Sequence, residues 1–220
     1  MTTANIVYSN SINIFASLAF YAPAIVCVCI ISLSLFTASM QKSLWFLGWL
    51  SLATFGRVIM SWCMSGREPG PDATPKPQIC STGTTTIFTN VDTTYGVFTT
   101  AFTALYLIVP MLIISKQSGH NVVNYGVVAF FLAYLALIVG VMQSYSCISG
   151  VFDKWVLCDL LGGSAFGAVA SGVVMFGSGL SSSLFINELS AGGDTCSRPS
   201  KQQFKCAVYR NGELVGSANA

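Results

Sequence analysis

Apolar residues run along this chain in long unbroken stretches, without the alternation of half-buried strands or the three-four spacing of water-facing helices. Five stretches stand out, at about residues 12–36, 44–64, 95–114, 122–142 and 155–180. Each is near or above the roughly 20 apolar residues that carry a helix across a 30 Å hydrocarbon core. The pattern predicts an all-α, polytopic helical membrane protein with five transmembrane helices, in which residues 1–189 form the membrane domain and residues 190–220 a polar tail. Pro23 falls inside the first stretch and predicts a kink there. Trp45 and Trp49 open the second close to Lys42, as in an interfacial aromatic belt. The short polar turn KQSGHN makes the third and fourth spans an antiparallel pair.

Two segments break this pattern. Residues 65–92 carry Pro69, Pro71, Pro75 and Pro77 with Arg67, Glu68, Asp72, Lys76 and a threonine-rich run, a mixture that interrupts helices and prefers water. The tail contains FKCAVYRNGELVGS, where Asn211-Gly212 between two short runs is a type I′ hairpin signal. The first residues carry no Lys or Arg before the apolar run, and that run exceeds a signal-peptide core, so it reads as a retained helix. No lipidation signature is evident.

Composition sharpens the class. Hydrophobic residues make up 53% of the 220 positions and charged residues 8%, against roughly 25% charged in soluble domains. Mean hydropathy is +0.68. The net charge of +2 is scattered, without the basic stripe that neutralises a run of phosphates, which argues against a nucleic-acid partner. Lys42, Lys116 and the tail cations Arg198, Lys201, Lys205 and Arg210 fall on one face of a five-span topology. Arg67, Lys76 and Lys154 share the other with four acidic residues, so the positive-inside rule puts the C-terminus in the cytoplasm and the N-terminus outside. Cys63, Cys80, Cys147 and Cys158 then lie at or near the outer face, where disulfides persist. Cys80 with Cys147 is the preferred pair, and small buried apolar residues are the alternative reading. Cys27 and Cys29 read as packing residues; Cys196 and Cys206 flank the start of the hairpin.

Catalytic chemistry is thinly supplied. The single histidine, His120, sits in a polar turn with no carboxylate nearby along the chain, so neither a Ser-His-Asp triad nor a multi-histidine metal site has its materials. GGSAFG lies within a glycine-rich helix rather than after a strand, so it is no nucleotide fingerprint and Glu188 gains no role as a ribose ligand. Arg57 falls inside the second span, where a charge costs about 2.5 to 3.5 kcal/mol on insertion scales, and Asp159 near the start of the fifth is the obvious counter-charge. Gly163 and Gly167, four residues apart, mark a helix face for close packing, within the fold or against another chain.

From residue 65 to about 175 the order of loops and helices resembles the type-2 phosphatidic acid phosphatases, or lipid phosphate phosphatases. ATPKPQIC stands where that family has its Lys and Arg-Pro motif, with Lys76-Pro77 in place of Arg-Pro. DTTYGVFTTAFTALYL is similar to the Pro-Ser-Gly-His region, and SYSCISGVFDKWVLCDLLGG to the Ser-Arg, His and Asp region. The resemblance implies phosphate binding by Lys76, but it places Tyr95 at the proton-donating histidine and Phe152 at the nucleophilic one. No Arg accompanies Ser144 or Ser146, and Asp159 lies about three residues beyond the orienting Asp. Neither Tyr nor Phe replaces an imidazole nucleophile at neutral pH. The resemblance therefore implies a scaffold that has lost its reaction.

The sequence leads to a non-catalytic structural membrane protein, a subunit of a larger assembly such as an energy-transducing complex or the membrane layer of a virus particle. It would need no cofactor or metal, and its partners would be the lipid bilayer and other subunits met through residues 65–92 and the tail. A lipid phosphatase with an altered or lost site is the second reading. A small-molecule transporter is the third, weakened because the spans carry no chain of charged groups and no evident inverted repeat.

Overall fold

The computed structural model describes residues 14–64, 94–118, 121–150, 152–177, 184–189, 205–210 and 213–219. The expectations for residues 65–92, including Lys76 and Cys80, and those for His120, Cys196 and the Asn211-Gly212 turn fall outside these residues. The helices are α1 (Ile14–Phe20), α2 (Ala22–Phe36), α3 (Met40–Met64), α4 (Tyr95–Ser118), α5 (Tyr125–Ser144), α6 (Lys154–Gly177) and the short α7 (Ile186–Leu189). Strands β1 (Lys205–Arg210) and β2 (Glu213–Asn219) pair antiparallel, with an irregular register between Val208 and Tyr209. The four helices α3 to α6 are each long and apolar enough to cross a membrane, and α1 with α2 adds a fifth crossing if the two count as one bent span.

That first span differs from the simple kink expected at Pro23. α1 and α2 meet at 77° across Tyr21, and Pro23 is the second residue of α2. A proline has no N–H to offer the carbonyl four residues earlier, here Ala19, so the helical ladder is interrupted just before it. The bundle supports the elbow from two sides. Tyr134 of α5 donates its hydroxyl hydrogen to the Leu18 carbonyl at 2.8 Å, and Gly96 of α4 lies against fully buried Ala19 and Ala22. Polar contacts close the next turn: Ala38 takes a positive φ of 50°, and the Ser39 N–H donates to the Ser34 carbonyl at 3.0 Å. α4 also extends further than its apolar run, through Lys116, Gln117 and Ser118, which shortens the polar connection to α5.

α4 is the centre of the bundle. Within its apolar stretch 67% of residues are buried, against 17% in α5. Its buried Phe98, Phe102 and Tyr106 form a column, with the Phe102 and Tyr106 rings stacked at 5.9 Å and Phe46 of α3 set edge-on to Tyr106 at 5.4 Å. α6 lies closest to it, and glycine makes that approach possible. A Cβ built on Gly163 would come within 3.1 Å of the Phe98 carbonyl carbon, and one on Gly167 within 3.0 Å of the Phe102 carbonyl carbon. Both obstacles are backbone, which cannot rotate away like a side chain. The Gly163 and Gly167 pair thus packs within this chain, one helical turn of α6 against one turn of α4. On α3, Gly56 makes room for a side chain instead, the edge of the Phe166 ring of α6.

Gly163→Ala should therefore destabilise the fold by about 1–3 kcal/mol through overpacking. Gly172→Ala, where an added Cβ meets nothing within 4 Å, should be neutral or gain up to about 1 kcal/mol of helix propensity. Thermal unfolding of both variants in mild detergent checks this: a lower Tm for Gly163→Ala alone is expected, and equal midpoints would contradict the close approach of α4 and α6.

Candidate functional site

α3, α4 and α6 converge at the end of the bundle where α3 finishes and α4 and α6 begin, and there Asp159 and Thr94 gather around Arg57. Its guanidinium forks onto the Asp159 carboxylate, Nε to Oδ1 and Nη2 to Oδ2, each at 2.7 Å. The two side chains are only 11% and 10% exposed. Thr94, at the mouth of α4, donates its hydroxyl to Asp159 Oδ2 and accepts from Arg57 Nη2 at 3.3 Å. The guanidinium also lies over two rings of α4, 5.4 Å from the centre of Tyr95 and 5.8 Å from that of Phe98. Tyr95 in turn shares a 2.9 Å hydrogen bond with Thr54 of α3. Geometry and charge agree here. A planar fork matches a carboxylate, and aromatic faces stabilise a desolvated cation.

Both carboxylate oxygens of Asp159 already accept hydrogen bonds, so the group is held as a counter-charge and is poorly placed to take a proton from a substrate. Three helices are tied by one buried pair. Phe152 stays apart from this cluster and is 85% exposed. Of the residues that the phosphatase resemblance singles out, Tyr95 and Asp159 meet around Arg57, Phe152 does not, and Lys76 lies outside the described residues. Cys147 is buried in the connection between α5 and α6, at the same end of the bundle.

A second pair sits at the opposite end of α3, and sequence reasoning missed it. Lys42 is 7% exposed; its ammonium hydrogen-bonds Glu188 Oε1 of α7 and lies 5.8 Å from the centre of the Phe185 ring. The signal was available. With five spans, the start of the second and the end of the fifth share a face, and Glu188 is the acidic residue next to that end. Lys42 and Arg57 are fifteen positions apart, about 22 Å along a helix, so α3 is fastened at both ends. Among the described residues, no three His, Cys, Asp or Glu side chains come together as a metal site would require.

One concavity among the described residues is apolar. A pocket of about 380 Å³ opens between α2 and α5, with Thr103 of α4 at its floor. Comparison of the chain with protein-family models, characterised proteins and solved structures finds no match.

Removing one member of the Arg57–Asp159 pair leaves the other charge buried, so Arg57→Met or Asp159→Asn should each cost about 3–5 kcal/mol. Replacing both by Met and Leu should recover most of that loss. A double-mutant cycle on thermal stability in detergent measures the coupling, and additive losses would show that the two side chains act independently.

Proposed function

We propose that this chain is a multi-pass membrane protein with a structural rather than catalytic role, acting as a subunit of a larger membrane-associated assembly. The observation that carries this reading is the use made of its buried charges. Arg57, Asp159, Lys42 and Glu188 join helix to helix, and both oxygens of Asp159 are engaged in those contacts. Ion pairs of this kind are costly to desolvate and fix which helices lie side by side. The 65–92 segment and the tail supply the polar surface through which other subunits would dock, and the bilayer is the remaining partner. A Cys80–Cys147 disulfide would tie that segment to the end of the bundle holding Arg57. Under the positive-inside rule this end faces outward and the tail lies in the cytoplasm.

The lipid-phosphatase reading has one observation in its favour, the meeting of Tyr95 and Asp159 around a buried arginine. In that reading Lys76 binds phosphate and the imidazole nucleophile has been lost. Release of phosphate from a panel of lipid phosphates, abolished by Lys76→Ala, would establish it over the structural one.

Extraction of the native membrane in mild detergent, after lysine-directed crosslinking, tests the structural role. The chain should migrate with other polypeptides, and crosslinks should join Arg67-Lys76 peptides or Lys201-Lys205 peptides to them. Recovery solely as a free, well-folded monomer without crosslinks would count decisively against it.

A further inference from the structure

We propose that the pocket between α2 and α5 is a binding site for one acyl tail of a bilayer phospholipid. The inference rests on the bilayer being this chain's solvent. α2 and α5 both pack on α4 and leave a gap between themselves, walled by Val26, Cys29 and Ile30 on one side and Phe130, Ala133 and Tyr134 on the other. Thr103 lies near the middle of α4, Cys29 near the middle of α2 and Tyr134 near the middle of α5, so the pocket sits at mid-depth, where headgroups do not reach.

Its chemistry selects the guest. No Lys, Arg, Asp, Glu or His lines it, so a free fatty acid would find no cation for its carboxylate. The two hydroxyls on its walls already donate to main-chain carbonyls, Thr103 to Thr99 at 2.8 Å and Tyr134 to Leu18 at 2.8 Å. Water has little to bind there, and cavities lined by apolar side chains stay dry and accept apolar guests. A flexible hydrocarbon chain fits the volume and the lining, and its headgroup stays at the interface.

The bend between α1 and α2 borders the pocket, with Leu18 of α1 in its lining. α1 leaves α2 at 77°, and the Tyr134 hydroxyl that holds the Leu18 carbonyl pins the elbow at the pocket's edge.

The full chain reconstituted in phosphatidylcholine vesicles, with a trace of phosphatidylcholine bearing a diazirine midway along one tail, tests this. After photolysis, adducts should concentrate on peptides containing Cys29 and Phe130–Tyr134. Ala133→Trp and Cys29→Trp, which fill the pocket from opposite walls, should each lower that labelling roughly tenfold, the effect of about 1.4 kcal/mol. Val173→Trp on the exposed face of α6 should leave it unchanged. Adducts spread over α3, α5 and α6 in proportion to exposure would overturn the proposal without touching the membrane reading. So would a diazirine sterol that labels the same peptides and is not displaced by phosphatidylcholine. Failure of the chain to float with the vesicles would remove the membrane reading and the lipid site together.

Discussion

A helix surface carrying Phe36, Phe55, Phe130, Leu161 and Phe176 almost uncovered is low in energy in only one common medium. Phe36 is 90% exposed and the others lie above 60%. At about 25 cal/mol for each Å² of apolar surface held in water, such rings would draw the chain into aggregates. In hydrocarbon they cost nothing. Other features of the bundle suit that solvent: backbone groups are closed within helices, the buried charges Arg57, Asp159, Lys42 and Glu188 are paired, and between helices in hydrocarbon close packing takes the place of the hydrophobic effect.

Where packing must hold the bundle together, its quality at α4 decides the outcome. α4 is surrounded by α2, α3, α5 and α6, and its column of Phe98, Phe102 and Tyr106 is the surface on which the others assemble. Gly163 and Gly167 let α6 settle directly on the α4 backbone. α3 has fewer buried residues, and two ion pairs fix its ends instead, Arg57 with Asp159 at one and Lys42 with Glu188 at the other. The two devices differ in kind. Glycine packing draws on many weak contacts along a face, whereas the ion pairs are few, directional and intolerant of a missing partner.

The spans were legible because unbroken apolar runs near 20 residues have no other stable home, and their ends fall within a few residues of the helices observed. Arg57 and Asp159 were legible for a related reason: a charge in a span needs a counter-charge, and the chain offers few. The elbow at Tyr21 was only half legible. Pro23 announces an interruption, but the 77° angle depends on Tyr134 and Gly96, more than 70 residues away in sequence. Thr94 was invisible because a lone hydroxyl beyond a span looks like a solvated residue until the bundle closes over it, and Glu188 was passed over although its place beside the end of the fifth span put it on the same face as Lys42. The pocket has no local signature either, since it is the gap left by two helices that share a neighbour.

Whether hydrocarbon is the solvent of these helices can be read directly from the depth at which their aromatic residues lie. Reconstitution into vesicles of phosphatidylcholine brominated at successive tail positions, with all tryptophans except Trp49 replaced by Phe, would place that one indole by fluorescence quenching. Trp49 lies about ten residues inside α3, deeper than the interfacial belt expected from its spacing to Lys42, so the account predicts strong quenching by bromines well down the tail and weak quenching by a water-soluble quencher. Equal access to the aqueous quencher with no dependence on bromine position would contradict it.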